Sequence, residues 1–348
     1  MIILMVILFS VTVRAVPSLS AAAKQAAWIC PIISLIFTIP IIYIFSSIYK
    51  VYKEESFTEV IEEILGKITG KVIAVLYIIQ LTLLVVVNTR YIAAGPLTSM
   101  FPNAKLSLFS FVILLTVAIT IRKGIVVIAR MSEVINKISI TIILIIAVFS
   151  IKNIKIERIT PISHLDFLSL IKANIILLGI WSHFLYLFFF SEYINNKEKL
   201  KKVCTKTMIN ITILTMIAIV ITIGVLGSSI VELSPNSYIL AVKQVSIFGA
   251  IERIESAIIS LLLFADYMII SILFLTILNL IKLLFKFDFT KSLINIYVLI
   301  IFFLVQIISR NQFEMGVFVD KIVIPINVFL GYVLPIVVFI VGKLRKKI

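Results

Sequence analysis

Of 348 residues, 61% are hydrophobic and 14% charged, and the mean hydropathy is +1.20, which excludes an ordinary water-soluble domain, where apolar residues make up about half. The formal charge of +15 is scattered over short gaps between apolar runs, so it excludes a soluble basic domain able to hold nucleic acid and fits membrane orientation instead. Only two cysteines are present, Cys30 and Cys204, with neither metal-ligand spacing nor a disulfide framework.

A hydrocarbon core of about 30 Å needs roughly 20 apolar residues of helix. Runs that meet or approach this occupy 1–22, 28–48, 71–94, 106–121, 132–150, 172–191, 203–231, 250–282, 291–309 and 322–342. Of the 32 Lys and Arg, twenty fall on the side that includes 49–71, 122–137, 197–206, 282–291 and the tail from Lys343 to Lys347. Eleven fall in or beside the opposite gaps, and Arg14 lies inside the first run. By the positive-inside rule the rich side is cytoplasmic, which puts both termini there and requires an even number of spans. The two cysteines then lie on opposite sides of the bilayer. The sequence therefore predicts an all-α polytopic membrane protein of ten transmembrane helices, a single transmembrane domain over residues 1–348.

The first run is too long and too poor in a small-residue cleavage pattern for a signal peptide, and is read as a retained helix. It is interrupted at Ser10-Val11-Thr12-Val13-Arg14-Ala15-Val16-Pro17, with a guanidinium near mid-membrane and a proline that removes a backbone donor. Between the second and third runs, Phe57, Val60, Ile61, Ile64, Leu65 and Ile68 recur at helical spacing, with Glu59, Glu62, Glu63 and Lys67 on the other face. Ser56 and Glu59 have the spacing of a capping box. This helix either lies on the inner membrane surface or is a solvated connector. Arg122 to Glu133 reads as an orientation anchor in which Ser132 caps the fifth span, or as a partner contact. The loop 151–171, with Lys152, Lys155, Arg158, His164 and Asp166, is the longest outer connection and is placed to lid an entrance.

The sixth run is interrupted at Gly179-Ile180-Trp181-Ser182-His183. If residues of about 1–150 and 172–342 are repeats of opposite orientation, spans one and six are equivalent, and paired breaks at equivalent positions point to a midplane solute site. Two ordinary kinks, with Ser and Thr bonded to their own backbone, are the other reading. Asp266 lies near the centre of the eighth run, where it needs a partner or a proton. Glu252 and Glu255 fit helix N-terminal charge preference. No nucleophile elbow, metal cluster or phosphate-cradling loop is present, so no enzyme activity, metal or cofactor is expected.

Leu65-Gly66-Lys67, Thr89-Arg90, Arg122-Lys123-Gly124-Ile125 through Ile128-Ala129-Arg130-Met131-Ser132-Glu133 and the segment Ile251-Glu252-Arg253-Ile254-Glu255-Ser256, in that order along the chain, resemble the spore germination permease family, and the likeness runs over nearly the whole chain. Its members are the B subunits of nutrient germinant receptors, within the amino acid, polyamine and organocation transporter superfamily. The resemblance implies a five-plus-five inverted repeat (LeuT-type) with helices one and six broken, and residence in the inner membrane of the spore. It also implies A-type and C-type receptor subunits as partners beside the lipid bilayer, with no nucleic acid. In relatives the first break is Gly-x-Gly; here Ser10 and Thr12 stand at the glycine positions, and their hydroxyls can hydrogen-bond a ligand instead of bare amides.

By position, the family's pocket wall falls on Leu84, on Ser182 and His183 beside Trp181, and on Met268 or Ile269. Leu84 and Met268 supply shape or plain packing, and His183 a polar contact or a satisfied core residue. The resemblance brings helices one and eight together, which makes Arg14 a candidate partner of Asp266 or of a ligand carboxylate. The candidate ligand-binding residues are thus Ser10, Thr12, Arg14, Leu84, Trp181, Ser182, His183, Asp266 and Met268. Two function classes follow: a nutrient-sensing receptor subunit that binds a small solute, such as an amino acid, and signals to its partners, or a proton-coupled amino acid transporter of the same fold.

Overall fold

The computed structural model describes residues 2–52, 55–99, 105–160, 167–193, 197–244, 254–285 and 291–348. His164, Asp166 and the segment Ile251 to Arg253, singled out in the sequence, lie outside the described residues. The first apolar run forms α1 (Ile2–Arg14) and α2 (Val16–Ala23), followed by a 3-10 turn (Lys24–Ile29). Then come α3 (Cys30–Val51), α4 (Phe57–Leu65), α5 (Lys67–Ser99), α6 (Leu106–Ile121), α7 (Ile125–Ser150) and α8 (Phe167–Trp181), which continues as a 3-10 helix (Ser182–Tyr193). The rest is α9 (Leu200–Leu226), the short α10 (Ser228–Leu233) and α11 (Ser237–Lys243), α12 (Ile254–Phe285) and α13 (Lys291–Ile307). The last apolar run is α14 (Gln312–Phe318), α15 (Ile324–Val328) and α16 (Leu334–Leu344), joined by two π turns.

Each run expected to span falls on helix, so the all-helical membrane reading holds. Among the described residues, seven stretches are long and apolar enough to cross a bilayer: Val16–Val51, Lys67–Ala94, Ile125–Asn153, Phe167–Phe190, Leu200–Leu226, Ser256–Phe285 and Gln312–Leu344. Leu106–Ile121 and Leu293–Ile307 are apolar but shorter. Length alone therefore carries seven of the ten expected runs.

The chain divides into two compact units, each assembled from three separated stretches. The first holds Met1–Pro40, Ser132–Trp181 and Val203–Ala265; the second holds Ile41–Met131, Ser182–Lys202 and Asp266–Ile348.

In the first unit, α2 packs on α8 and α10, and buries Val16, Leu19, Ala23, Ala26 and Leu177. Its small side chains let the helices approach closely, the usual packing device where lipid supplies no hydrophobic drive between helices. Two buried hydroxyls are paired across helices: Ser34 Oγ donates to Asn174 Oδ1 at 2.8 Å, and Ser20 Oγ to the Ser228 carbonyl at 3.3 Å. The loop after α7 lies down on the end of α9. Lys155 N–H donates to the Gly224 carbonyl at 3.0 Å, Arg158 donates to the Val225 carbonyl, and Trp28 Nε1 to the Ile159 carbonyl at 3.3 Å. Gly224 permits this, since a Cβ there would stand 2.8 Å from an Ile154 methyl.

In the second unit, α5 packs against α4, α6 and α13. Helix α4 opens with the expected capping box: Ser56 Oγ accepts from Glu59 N–H at 3.4 Å, and Ser56 N–H donates to the Glu59 carboxylate at 2.6 Å. Its apolar face is neither in lipid nor solvated, which corrects both sequence readings. Phe57, Val60, Ile61 and Ile64 are fully buried, with Phe57 against the rings of Phe45, Tyr77 and Phe189. The basic tail ends α4: Arg345 donates to the Ile64 carbonyl and Lys347 to that of Glu63, groups a helix C-terminus leaves unsatisfied.

One further expectation is corrected: Ser132 does not cap the fifth span, since α7 starts at Ile125, after Gly124 with φ +82°, and Ser132 lies buried inside it. The first helix runs through Ser10 to Arg14 and is interrupted at Ala15, within the Ser10 to Pro17 stretch that the sequence singles out. Ala15 N–H reaches both the Val11 carbonyl (3.2 Å) and the Thr12 carbonyl (3.0 Å), and Pro17 has no donor for the Val13 carbonyl.

The last apolar run holds a feature the sequence reading did not anticipate. Val319–Val323 and Phe329–Val333 are π turns, and each ends two residues before a proline, Pro325 or Pro335. A proline ring collides with the carbonyl four residues back, and widening the helix by one residue relieves the clash. In the second turn Leu334 N–H bonds the Phe329 carbonyl. The next bond in that register would run from residue 335 to the Leu330 carbonyl, and a proline cannot make it. Tyr77 fills the gap, its hydroxyl donating to the Leu330 carbonyl at 2.8 Å.

Candidate functional site

In the first unit, Ser10 and Thr12 sit in the last turns of α1, both fully buried, and Arg14 ends that helix. Trp181, the last residue of α8, is also fully buried, and its Nε1 donates to Thr12 Oγ1 at 3.3 Å. Thus three of the four candidates in this unit lie in the core, and two of them, from the two interrupted helices, are bonded to each other. The peptide groups at Ser10 and Thr12 remain in helical geometry, so what the helix offers there is side-chain hydroxyls.

The second unit holds Leu84, Ser182, His183, Asp266 and Met268, all buried. Ser182 begins the 3-10 segment, so the sixth helix changes winding where the sequence placed its interruption. The 3-10 segment is two shorter runs that meet at Phe190, and such a change of winding within a helix often marks a hinge. Phe190 leaves helical geometry altogether (φ −112°, ψ 28°). The segment is held by aromatic packing: Phe188 stacks on Phe45 with centroids 4.0 Å apart, and Tyr49 donates to the Phe188 carbonyl at 2.8 Å.

Ser182 lies against the second π turn. A Cβ at Gly331 would fall 2.4 Å from Ser182 Cβ, so only glycine allows this approach. One turn along, the His183 ring meets Tyr186 edge-on at 5.4 Å. Tyr186 Oη donates to Asn327 Oδ1 at 3.4 Å, and Gln80 Nε2 donates to the same oxygen at 2.7 Å. Gln80, Tyr186 and Asn327 are all at most 4% exposed. Leu84 lies one turn beyond Gln80 on α5, and its carbonyl accepts from Asn88 Nδ2 at 2.8 Å.

This Gln80, Tyr186, Asn327 cluster with Tyr77 and Gly331 is the part of the site that sequence reasoning missed. The available signal was a polar amide in each of two apolar runs, Gln80 and Asn327, each costly in lipid without a partner. Among the described residues no group of His, Cys, Asp or Glu is arranged to hold a metal ion, and Cys30 and Cys204 are buried and not joined in a disulfide. Chemically, the two units offer buried hydroxyls, amides and aromatic faces, the groups that position a small polar solute by hydrogen bonding and shape.

Residues 1–314 match the family model for spore permeases, described as "Spore germination protein". No curated protein matches the chain.

Proposed function

The chain belongs to the spore germination permease family, and on that premise we propose that it is the nutrient-sensing membrane subunit of a spore germinant receptor. A small solute such as an amino acid binds at mid-membrane, where helices one and six are interrupted, and shifts a conformational equilibrium that A-type and C-type subunits read. A ligand moves such a balance only by its differential affinity for two states, so the site must be able to change shape. The observation that supports this most is the bond from Trp181, at the end of α8, to Thr12, near the end of α1: it couples the two interruptions directly. The ten-helix inverted repeat, with both termini cytoplasmic in the spore's inner membrane, completes the proposal.

The test is thermal stabilisation of the purified protein, with and without co-expressed A-type and C-type subunits, across amino acids, purine nucleosides and sugars. Binding raises stability with ligand excess over its dissociation constant. One class of solute should raise the melting temperature, and Thr12→Val should reduce that response. No stabilisation by any of the three classes would overturn the reading. The buried carboxyl of Asp266, in the middle of α12, favours a second reading, a proton-coupled transporter. Accumulation of labelled amino acid against a gradient in liposomes, lost in Asp266→Asn, would establish it.

A further inference from the structure

The second unit concentrates positive charge where α4 ends, and the closing of that helix uses only part of it. Residues 62–71 and 341–348 contain six Lys and Arg, namely Lys67, Lys71, Lys343, Arg345, Lys346 and Lys347, against two acids, Glu62 and Glu63. Lys347 is half-buried and the other five are exposed. Among the described residues none of the six is in an ion pair. Two bonds pin the tail beside the start of α5: Arg345 donates to the Ile64 carbonyl at 2.6 Å and Lys347 to the Glu63 carbonyl at 2.5 Å, and α5 opens at Lys67, directly after Gly66.

The tail turns back on itself. Lys347 N–H bonds the Gly342 carbonyl at 2.8 Å and Lys346 N–H the Lys343 carbonyl at 3.0 Å, the paired bonds of a Schellman end, and Lys346 takes the left-handed conformation (φ +55°) that this position ordinarily gives to glycine. A lysine there keeps a charge at the helix end against the preference of the backbone. Lys343 is held as well, its Nζ 4.8 Å from the centroid of the Phe339 ring. Beside the charges run exposed apolar stripes at helical spacing: Ile68, Val72 and Leu76 on α5, and Ile336, Ile340 and Leu344 on α16, with Ile68 84% and Leu344 79% exposed. Bare apolar side chains next to lysines suit the boundary between hydrocarbon and headgroups, where the stripe lies in lipid and the ammonium groups reach back to water.

We propose that the start of α5 and the end of α16 with its tail form a docking surface for anionic phospholipid. The headgroup phosphates lie against Lys67, Lys71, Lys343 and Lys346, and the acyl chains lie along the two stripes. Charge complementarity selects this occupant: a zwitterionic headgroup brings its own cation to the surface, whereas an anionic one brings only the charge of its phosphate. The positive-inside rule accounts for the sign of this end of the chain, and not for a backbone that folds its last lysines against the end of α4. Because Arg345 and Lys347 of the same tail close α4, lipid held here also tightens that closure. The surface stands apart from the solute site proposed above, and its test does not require that site to work.

The probe is brominated lipid in nanodiscs of phosphatidylcholine and phosphatidylglycerol in equal parts, read by quenching of a bimane on Leu344→Cys in the full-length protein with Cys30 and Cys204 changed to Ala. Quenching by brominated phosphatidylglycerol relative to brominated phosphatidylcholine gives the local lipid preference. Phosphatidylglycerol should be preferred, and the preference should fall as salt is raised. Lys346→Gly should lower it about 5-fold, one lysine's attraction to an anionic leaflet, while the melting temperature in phosphatidylcholine alone does not fall, since glycine suits the left-handed backbone. Lys67→Gln with Lys71→Gln and Lys343→Gln should remove most of the rest; should that triple variant fold poorly, Lys346→Gly carries the test alone. Lys123→Gln with Lys202→Gln, exposed lysines of other elements, should leave the preference nearly unchanged. An equal fall with that pair would mean bulk attraction by a basic protein and overturn the proposal. So would equal quenching by the two lipids, or displacement by soluble glycerol phosphate at constant ionic strength, which would mark a free-phosphate site. Loss of the preference in the complex with co-expressed A-type and C-type subunits would also overturn it, and would give the surface to an acidic protein partner.

Discussion

The first and last apolar runs are both interrupted by proline, and they resolve the problem differently. At Pro17 the α-helix keeps its winding on both sides, gives up one residue at Ala15, and resumes at Val16. At Pro325 and Pro335 the helix changes winding ahead of the proline, and each π turn inserts one extra residue. The first solution is local: Ala15 N–H is shared between the Val11 and Thr12 carbonyls, and one helical bond, to the Val13 carbonyl, is given up. The second moves a carbonyl, that of Leu330, into a place where another helix must satisfy it, and leaves Gly331 where no side chain fits beside Ser182. Proline supplies the same defect in both runs, and the register chosen around it decides what the rest of the unit has to provide.

The largest effect should come from filling the close approach at Gly331. Gly331→Ala places a methyl carbon 2.4 Å from Ser182 Cβ, so the 3-10 segment or the π turn must move. Overpacking of this kind costs about 3 kcal/mol. Thermal melting in detergent should show the loss, whereas Gly316→Ala, with nothing within 4 Å of its new carbon, should be neutral or slightly stabilising. Equal losses at the two glycines would mean that contact with Ser182 is not what selects glycine.

Next is the carbonyl that the π register strands. Tyr77→Phe leaves the Leu330 carbonyl buried without its donor, a cost of about 2 kcal/mol. In a Pro335→Ala background the backbone N–H returns and can take that bond, so Tyr77→Phe should cost little there. The same cost in both backgrounds would refute the register argument, because the tyrosine would then be stabilising by packing alone.

In the first unit the expected effects are smaller, as the simpler kink implies. Trp181→Phe and Thr12→Val each remove one 3.3 Å hydrogen bond, and a double-mutant cycle should return a coupling of about 1 kcal/mol. A coupling near zero would leave the two helix interruptions energetically separate and weaken the sensor proposal with them.

How far these features could be read from the sequence follows the same division. The runs, the capping box at Ser56 and the change of winding at Ser182 are local: each is written in the spacing of neighbouring residues, and each appears where expected. The π turns are not local. Pro325 and Pro335 read equally well as simple kinks, and nothing in the run says that the helix widens instead. The Gln80, Tyr186 and Asn327 cluster joins residues from three distant runs, so each polar residue was visible and its partner was not. The covering of α4 was hidden for a related reason, since an amphipathic stripe shows that one face must be buried and not what buries it.

The weakest predicted effect lies in the connector before α4. Burial, with the negative charges of Glu63 and Glu59 next in order, raises the Glu55 carboxyl above its ordinary value of 4.5. Burial and the same acidic neighbourhood, Glu63 first, also raise the Tyr52 phenol. A carboxyl with a raised folded value binds its proton more tightly in the folded chain. Its contribution is therefore fully present below the unfolded value and is lost as pH rises through the folded one. Local stability of the α4 connector should fall as pH is raised from about 4 into the neutral range. Hydrogen exchange of the α4 amides across that range measures it, and Glu55→Gln should flatten the profile. A profile that rises with pH would show that these carboxylates are held by cations instead, which would reverse the electrostatic sense assigned to this end of the second unit.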